Sequence, residues 1–389
     1  EVERRWQGDP GAPGGRRARA SFTYRAFVPD PIAELEPGIT FETAESIARA
    51  KAAIPELNPA DSVAGLEAIG PLLLRSEAIA SSRIEGYELS QRNLACALID
   101  PRAARGTAKT VAANVVAMEE AVAVGDRPEP LTADDVLAIH RTLMAGEPER
   151  VRPGEFRREQ NWIGGRLNSP LDARFIPPPE DAVDRLIADL LAFLARDDLP
   201  PVAQAAIGHA QFETIHPFVD GNGRVGRCLI HVVLRRTGLA PRFVPPVSIV
   251  LAARPGSYVD GLVAFREGRV AAWCASFAGA CEQAARLSVE LAGAVRGLQE
   301  QWRARAGHPR RDSAAARIIE VLPAQPILSA ATVRAAIGAS HQRALDGLKG
   351  LAGAGVVRQI TAGAYDRQFA ADELFDLIER YEERIAAAP

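Results

Sequence analysis

The sequence is poor in the residues that mark secreted, membrane-spanning and strongly basic proteins. Among its 389 residues there are four cysteines and six histidines, and the lysines are Lys51, Lys109 and Lys349. No two cysteines are spaced as CxxC, which argues against a zinc site of that type and indicates a reducing compartment. No apolar run reaches the ~18 residues that a membrane-spanning helix needs. The formal net charge of −3 argues against bulk electrostatic binding to nucleic acid or to anionic membranes.

The composition that remains is that of a globular protein, with 47% hydrophobic and 24% charged residues. The length predicts two or three domains. The first residues show no secretory signal pattern. We therefore expect a cytoplasmic protein with no membrane partner.

Changes in composition and periodicity divide the chain into segments. Residues 1–20, rich in Gly, Pro and Arg, are typical of a disordered tail, and a helical region is expected over 21–125. A second, mainly helical region covers 126–306, and a polar stretch broken by Gly and Pro at 307–311 predicts a linker. Residues 312–389 show helical patterns, then a turn, two strand patterns and a last helix. This order predicts a separable winged helix-turn-helix domain.

One stretch of the second helical region lacks helical periodicity. Gln160-Asn161-Trp162-Ile163 and Arg174-Phe175-Ile176 are rich in β-forming residues and flank Gly164 and Gly165. This pattern predicts a β-hairpin with a long tip.

Most of the chemistry lies in the run His216-Pro217-Phe218-Val219-Asp220-Gly221-Asn222-Gly223-Arg224-Val225-Gly226-Arg227. Its glycines allow backbone N–H groups to approach an anion, and a helix is predicted to begin just after them. A helix N-terminus carries about half a positive charge, so cations in the first turn are disfavoured by about 0.3–1 kcal/mol each. Arg224 and Arg227 are such cations. A bound anion would turn this cost into a gain, so the run predicts a site for a phosphate chain.

The run also contains Gly221-x-Gly223-x-x-Gly226, the spacing of a dinucleotide-binding loop. That fingerprint requires a preceding strand and an acidic residue about 20 positions later. Residues 202–215 are Ala-rich and helical in pattern, and residues 241–246 contain no acid. We therefore reject a dinucleotide-binding loop.

The same residues suit phosphoryl or nucleotidyl transfer, which needs positive charge, a metal and a positioned nucleophile. Asp220 can bind Mg²⁺, which favours a carboxylate together with phosphate oxygens. His216 lies at the mouth of the loop, and histidine is suited to accept a hydroxyl proton near neutral pH. Phe218 is expected to anchor the loop in the core. The other histidines in helical patterns are expected to be ordinary core or surface residues: His140, His209 and His231.

The run resembles the Fic family signature, HPFx(D/E)GNGRxxR, and matches it at every defined position. The resemblance implies a mainly α fold, a helical bundle with a β-hairpin flap, whose catalytic core is 126–306. It implies a protein adenylyltransferase that moves AMP from ATP to a Ser, Thr or Tyr hydroxyl of a target protein and releases diphosphate. It also implies ATP as substrate with Mg²⁺ or Mn²⁺.

The resemblance assigns roles to individual residues. His216 is the base for the target hydroxyl, and Asp220 is the metal ligand. The residues that hold the nucleotide are Gly221, Asn222, Gly223, Arg224, Arg227 and Tyr258. The residues that dock the target segment by strand pairing are Trp162, Ile163, Gly164 and Gly165. A purely structural hairpin is an equal alternative for the last group, and simple packing is a close alternative for Tyr258.

An upstream segment, Ser81-Ser82-Arg83-Ile84-Glu85-Gly86, resembles the family's inhibitory motif, (S/T)xxxE(G/N). Its defined positions are Ser81, Glu85 and Gly86. Glu85 lies at the predicted C-terminus of a helix, where negative charge is unfavourable and a cation would remove the cost. The resemblance implies that this cation is Arg227, so that Glu85 competes with the ATP γ-phosphate. A solvated glutamate before a Gly cap is the simpler alternative.

The residues leave other functions open. An enzyme of this fold could remove AMP from a modified protein, with Glu85 positioning a water. Alternatively, the chain could be a nucleotide-sensing regulator that binds DNA. Nucleic acid is weakly supported, because residues 311–389 hold nine Arg or Lys and ten Asp or Glu. Protein contact or a homodimer is an equal expectation for this segment.

Overall fold

The computed structural model describes residues 1–8, 11, 19–58, 69–166, 169–361 and 367–387. Helices dominate this part of the chain, which confirms the predicted mainly α class. The helices are α1 (Phe41–Glu56), α2 (Gly70–Ile84), α3 (Gln91–Ile99), α4 (Gly106–Gly125), α5 (Ala133–Leu143), α6 (Val183–Leu194), α7 (Pro201–Ile215), α8 (Asn222–Arg236), α9 (Val247–Ala253), α10 (Pro255–Arg266), α11 (Val270–Arg305), α12 (Ala314–Val321), α13 (Ala330–Ile337), α14 (His341–Gly353) and α15 (Asp372–Ala387). The strands are β1 (Val2–Trp6), β2 (Phe22–Ala26), β3 (Ile327–Ser329), β4 (Arg358–Gln359) and β5 (Gln368–Ala370). Two short 3₁₀ turns lie at Glu149–Val151 and Glu180–Ala182. None of the described helices is both long enough and apolar enough to cross a membrane.

The chain forms two compact units, each assembled from separate stretches of sequence. Unit 1 comprises Glu1–Ile47, Val116–Gly238 and Val259–Ala278. Unit 2 comprises Ala48–Val115, Leu239–Tyr258 and Gly279–Pro389. These boundaries differ from the contiguous segments predicted from the sequence. The Fic signature and the hairpin lie in unit 1.

The core of unit 1 is built around α7. Almost all of this helix is buried on every side, because its alanines and Gly208 allow neighbouring helices to approach closely. A Cβ atom at Gly208 would lie 2.5 Å from Cδ2 of Leu194 on α6. The indole N–H of Trp273 donates to the carbonyl of Ala206 at 2.7 Å and fastens α11 to α7. The signature loop begins at the C-terminal end of this buried helix.

The described start of the chain differs from the predicted disordered tail, because it forms a pair of strands. Strand β1 pairs antiparallel with β2, from Val2 opposite Ala26 to Trp6 opposite Phe22. The aromatic and β-branched residues at the start of β2, Phe22, Thr23 and Tyr24, favour such a pair. Trp6 packs edge-on against Trp162 of the hairpin, at 5.5 Å between ring centroids. The composition of this segment did not indicate a strand pair, because the Gly- and Pro-rich residues lie between the two strands. Residues 9–10 and 12–18 of the predicted tail lie outside the described residues.

The C-terminal segment in unit 2 has the element order that a winged helix-turn-helix requires. Strand β3 lies between α12 and α13, and strands β4 and β5 follow α14. The three strands form a small antiparallel sheet with strand order β3-β5-β4. The segment belongs to the same compact unit as α2 and α3, on which it packs. Ala95 of α3 lies in one apolar cluster with Ile327, Ala370 and Phe375. The buried guanidinium of Arg75 on α2 donates to two carbonyl groups in the turn before β3, those of Pro323 and Ala324.

Candidate active site

The signature run forms the loop between α7 and α8 (216–221) and the first turns of α8 (222–227). His216 is the residue that ends α7, and its backbone is left-handed, with φ 51° and ψ 59°. A residue other than Gly held in this conformation stores of the order of 1–3 kcal/mol of strain and must be fixed by its surroundings. Gly221 (φ 81°) then starts α8, as the sequence predicts. The histidine therefore stands where one helix ends, directly before the N-terminus of the next.

The side chain of Asn222 closes the loop. Its Oδ1 accepts a bond from the N–H of Phe218 at 2.8 Å, and its Nδ2 donates to the Phe218 carbonyl at 2.9 Å. Phe218 is fully buried, as expected for an anchor. The Asn222 amide thus shapes the loop, and the backbone N–H of Asn222 lies at the helix N-terminus, where an anion is favoured.

The buried side chain of His140 packs against the loop and binds it. The ring of His140 on α5 stacks on Phe218, with centroids 3.7 Å apart and planes at 5°. Its Nδ1 accepts from the N–H of Gly154 at 2.9 Å, so Nε2 carries the hydrogen and donates to the Asp220 carbonyl at 3.1 Å. Burial is the main reason that the pKa of His140 falls to about 4, which keeps the ring neutral. The sequence predicted an ordinary histidine, but the structure makes it a direct support of the loop.

Two further residues hold the loop, and neither was predicted from the sequence. Arg157 is fully buried and donates from Nε to the His216 carbonyl at 2.9 Å. Burial lowers the pKa of this guanidinium to about 10, so it stays charged at neutral pH. Nδ2 of Asn161 donates to the carbonyls of His216 at 3.2 Å and Phe218 at 2.9 Å. No signal in the sequence marks them, because they bind backbone groups more than 50 positions away.

The first two turns of α8 carry the positive charge of the site. Arg224 and Arg227 are each 1% exposed. Burial, followed by the positive charge of Arg227, lowers the pKa of His209 on α7 to about 3. Gly226 allows α8 to lie against α7, since a Cβ there would lie 2.6 Å from Oε1 of Glu213. Two desolvated cations at a helix N-terminus make this end of the loop strongly favourable for an anion.

Asp220 is the one acidic residue of the signature, and its side chain is exposed. Its Oδ1 accepts from the N–H of Gly221 at 2.6 Å. Among the described residues, no group of three or more His, Cys, Asp and Glu side chains comes together as a metal cluster. A single carboxylate beside a phosphate site is the arrangement that suits Mg²⁺, which takes one or two carboxylates and completes its shell with phosphate oxygens and water.

The predicted hairpin is present beside the loop. The N–H of Ile163 donates to the Phe175 carbonyl at 2.8 Å, and that of Arg174 donates to the Ile163 carbonyl at 2.9 Å. Gly164 and Gly165 turn the chain with φ of 73° and 74°. Leu167 and Asn168 at the tip lie outside the described residues.

The hairpin borders a cavity of about 570 Å³. The cavity is lined in part by Trp6, by Trp162 of the hairpin and by Val219, which belongs to the signature. The backbone N–H and C=O groups of Ile163 point towards Phe175. Since these groups alternate in direction along a strand, those of the neighbouring Trp162 point to the opposite edge of the hairpin. The hairpin therefore offers a strand edge and an apolar wall next to the reactive loop.

The remaining predicted site residues lie in unit 2. Tyr258 is 5% exposed in α10, where its N–H donates to the Arg254 carbonyl at 3.1 Å. Ser81 is buried in α2, Glu85 ends that helix, and Gly86 follows with φ 84°. The helix end required by the inhibitory motif is thus present. The roles of these residues at the nucleotide stay predictions.

Comparison with known proteins identifies the loop. Residues 130–234, which include the whole signature, match the model of the Fic/DOC family. The signature thus lies in a region that matches the Fic/DOC family. Protein adenylyltransferase Fic of Drosophila erecta is 36% identical over 118 residues, which cover 30% of this chain and 22% of that protein. The homologue of Drosophila melanogaster has the same identity and coverage. The chain thus spans about a fifth of the length of these curated relatives.

Solved structures extend the likeness beyond the matched region. A Fic family protein from Desulfovibrio desulfuricans G20 is 25% identical and superposes with a TM-score of 0.53, covering 87% of this chain and 98% of that one. Fic-1 of C. elegans is 20% identical with a TM-score of 0.51, covering 66% of this chain and 73% of that one. These neighbours confirm the predicted Fic fold.

Proposed function

We propose that this chain is an autoinhibited protein adenylyltransferase. It transfers AMP from ATP to a Ser, Thr or Tyr hydroxyl of a target protein and releases diphosphate. The observation that carries the proposal is the geometry of the signature loop. A proton acceptor, His216, stands directly before a helix N-terminus that holds two buried arginines. The curated relatives, which bear the name adenylyltransferase, support the same activity.

The phosphate chain of ATP binds at the N-terminus of α8. Backbone N–H groups of Asn222 and Gly223 face the phosphates beside Gly221, whose own N–H binds Asp220, and Arg224 and Arg227 neutralise the β and γ end. Since both guanidiniums are desolvated, each contact with phosphate is stronger than it would be in water. Tyr258 lies near the adenine, as its position in the family suggests.

Asp220 would hold a divalent ion, Mg²⁺ or Mn²⁺, together with phosphate oxygens. Its exposed carboxylate next to a phosphate-binding helix end fits the small number of protein ligands that Mg²⁺ takes. Such an ion supplies charge neutralisation to the phosphate chain.

The transfer itself is a substitution at the α-phosphorus. His216 accepts the proton of the target hydroxyl, and the hydroxyl oxygen forms a bond to the α-phosphorus. The bond from that phosphorus to the oxygen leading to the β-phosphate breaks, and diphosphate leaves with the electron pair. The hairpin holds the target segment at the edge formed by Trp162, Ile163, Gly164 and Gly165, by strand addition.

Inhibition is assigned to the end of α2. Glu85, supported by Ser81 and Gly86, pairs with Arg227 and takes the place of the γ-phosphate, so that ATP binds with a misplaced α-phosphate. The support is the motif together with the helix end at Ile84, which puts an unfavourable charge at a C-terminus.

A paired labelling experiment tests the transferase. Purified Glu85→Gly protein is incubated with Mg²⁺ and ATP labelled either at the α-phosphate or at the γ-phosphate, and peptides are then examined by mass spectrometry. We expect protein-bound label only from α-labelled ATP and an AMP adduct on Ser, Thr or Tyr. Label from the γ-phosphate would indicate a kinase. Release of AMP from a modified protein without ATP, in the absence of any transfer, would favour the reverse activity.

A further inference from the structure

The guanidinium of Arg157 is a buried charged group that has no carboxylate among its hydrogen-bond partners in the described residues, although the charge of Glu180 acts on it from farther away. It is 0% exposed, and every hydrogen-bond acceptor that the described residues offer it is a backbone carbonyl. Burying an ion without a paired opposite charge is costly. The lowered pKa of Arg157, about 10, reflects that desolvation. The carbonyls that it binds explain why a charge is placed there.

These carbonyls belong to the reactive helix end and to the base of the hairpin. At the end of α7, Arg157 binds the carbonyls of Ile215 and His216, where the helix dipole favours a cation. On the hairpin side, it binds those of Glu159 at 3.0 Å and Pro178 at 2.5 Å, one before and one after the hairpin. One guanidinium thus joins α7 to both arms of the hairpin.

Asn161 makes the second connection. Its amide donates to the carbonyls on either side of Pro217, those of His216 and Phe218. The next residue in the chain, Trp162, lines the cavity beside the loop. The carbonyl of His216 therefore receives two donors, and both come from the segment that leads into the hairpin.

We propose that Arg157 and Asn161 are positioning residues for His216. They hold its carbonyl, stabilise its left-handed backbone, and so aim the imidazole at the acceptor hydroxyl. Because both sit at the base of the hairpin, they also connect the docking of a target segment to the geometry of the base. This inference rests on the proposed role of His216 as the base.

The test compares variants made in the Glu85→Gly protein. Asn161→Ala removes an amide from a half-buried position, and Arg157→Lys keeps the charge but loses the planar fork. Arg158→Lys is the matched control, because Arg158 is the next residue, is 63% exposed and pairs with Asp184 at the surface. The measurements are the rate of self-modification at saturating ATP, the KM for ATP, and the ¹H–¹³C NMR signal of the His216 ring, assigned from its loss in His216→Ala.

A displaced base should slow transfer by about 10²-fold while the KM for ATP stays within about threefold. We expect this result for Asn161→Ala and Arg157→Lys, with a shifted His216 ring signal, and no change for Arg158→Lys. Unchanged rates and ring signal in a folded Asn161→Ala protein would overturn the inference, as would a KM that rises in proportion to the lost rate. If the parent transfers no AMP, the proposed function fails, and the ring signal alone then decides whether the two residues position His216.

Discussion

Deleting residues 312–389 should destabilise the rest of unit 2. Arg75 on α2 is 7% exposed and donates to the carbonyls of Ala324 at 2.5 Å and Pro323 at 3.1 Å. The turn that carries these carbonyls is lost with the deletion, and a hydrogen bond to a charged group contributes about 1.5–3 kcal/mol. Two such bonds amount to about 3–6 kcal/mol. That is a large part of the ~5–15 kcal/mol that stabilises an ordinary domain.

The apolar contacts of α3 add to this loss. Ala95 packs with Ile327, Ala370 and Phe375, and the guanidinium of Arg92 lies 4.7 Å from the centroid of the Phe375 ring. Burying one large apolar side chain contributes about 1.5–3 kcal/mol. We therefore expect α2 and α3 to lose their fixed structure in the truncated chain.

Thermal unfolding and hydrogen exchange measure the effect. Full-length protein should protect the amides of α2 (70–84), whereas the truncated chain should exchange them rapidly. A milder variant, Glu382→Ala, removes acceptors for Arg83 at 3.2 Å and Gln91 at 3.1 Å and should cost about 1–2 kcal/mol. Glu383→Ala is its control, as an exposed residue of the same helix. Equal protection of α2 in the truncated and full-length chains would refute this reasoning.

Three further outcomes are expected. His216→Ala should slow AMP transfer by about 10²–10⁴-fold, while the ATP affinity measured by calorimetry stays nearly unchanged. A large loss of ATP affinity would instead indicate that His216 has a structural role. Asp220→Ala should weaken Mg²⁺-dependent ATP binding, and excess Mg²⁺ should restore part of it. ATP binding that does not depend on Mg²⁺ would show that Asp220 is not part of the site. The folded pKa of His140, about 4 against an ordinary 6.5, means that the unfolded chain binds more protons between these values. The contribution of His140 to the free energy of unfolding should therefore fall by about 3 kcal/mol as pH drops through that window. In His140→Asn, the free energy of unfolding measured by chemical denaturation should depend less steeply on pH.

The sequence predicted well those features whose residues are contiguous. The signature places a base, an acid, glycines and arginines within one short run. In the structure this run forms the loop after α7 and the start of α8, where the sequence predicts a helix to begin. Helix starts were also predictable where a side chain caps its own helix. Thr132 and Asp135 form a reciprocal capping box at α5, for example.

Features that depend on distant partners could not be predicted. Arg157 and Asn161 bind backbone carbonyls, which every residue type offers, so no pattern in the sequence points to their partners. His140 supports the loop by ring stacking across 78 positions of the chain, from α5 to Phe218. The contact of α3 with the C-terminal segment is likewise a product of packing, since neither partner alone shows an unusual composition.

Incorporation of AMP from ATP labelled at the α-phosphate tests the central proposal most directly. The wild type, Glu85→Gly, and the double variant Glu85→Gly with Arg227→Ala are compared at equal concentration with Mg²⁺. Glu85→Gly should incorporate much more label than the wild type, because Arg227 is released to bind the γ-phosphate, and the double variant should be inactive again. Equal incorporation by the wild type and Glu85→Gly would contradict autoinhibition, and no incorporation by any of the three would contradict the adenylyltransferase itself.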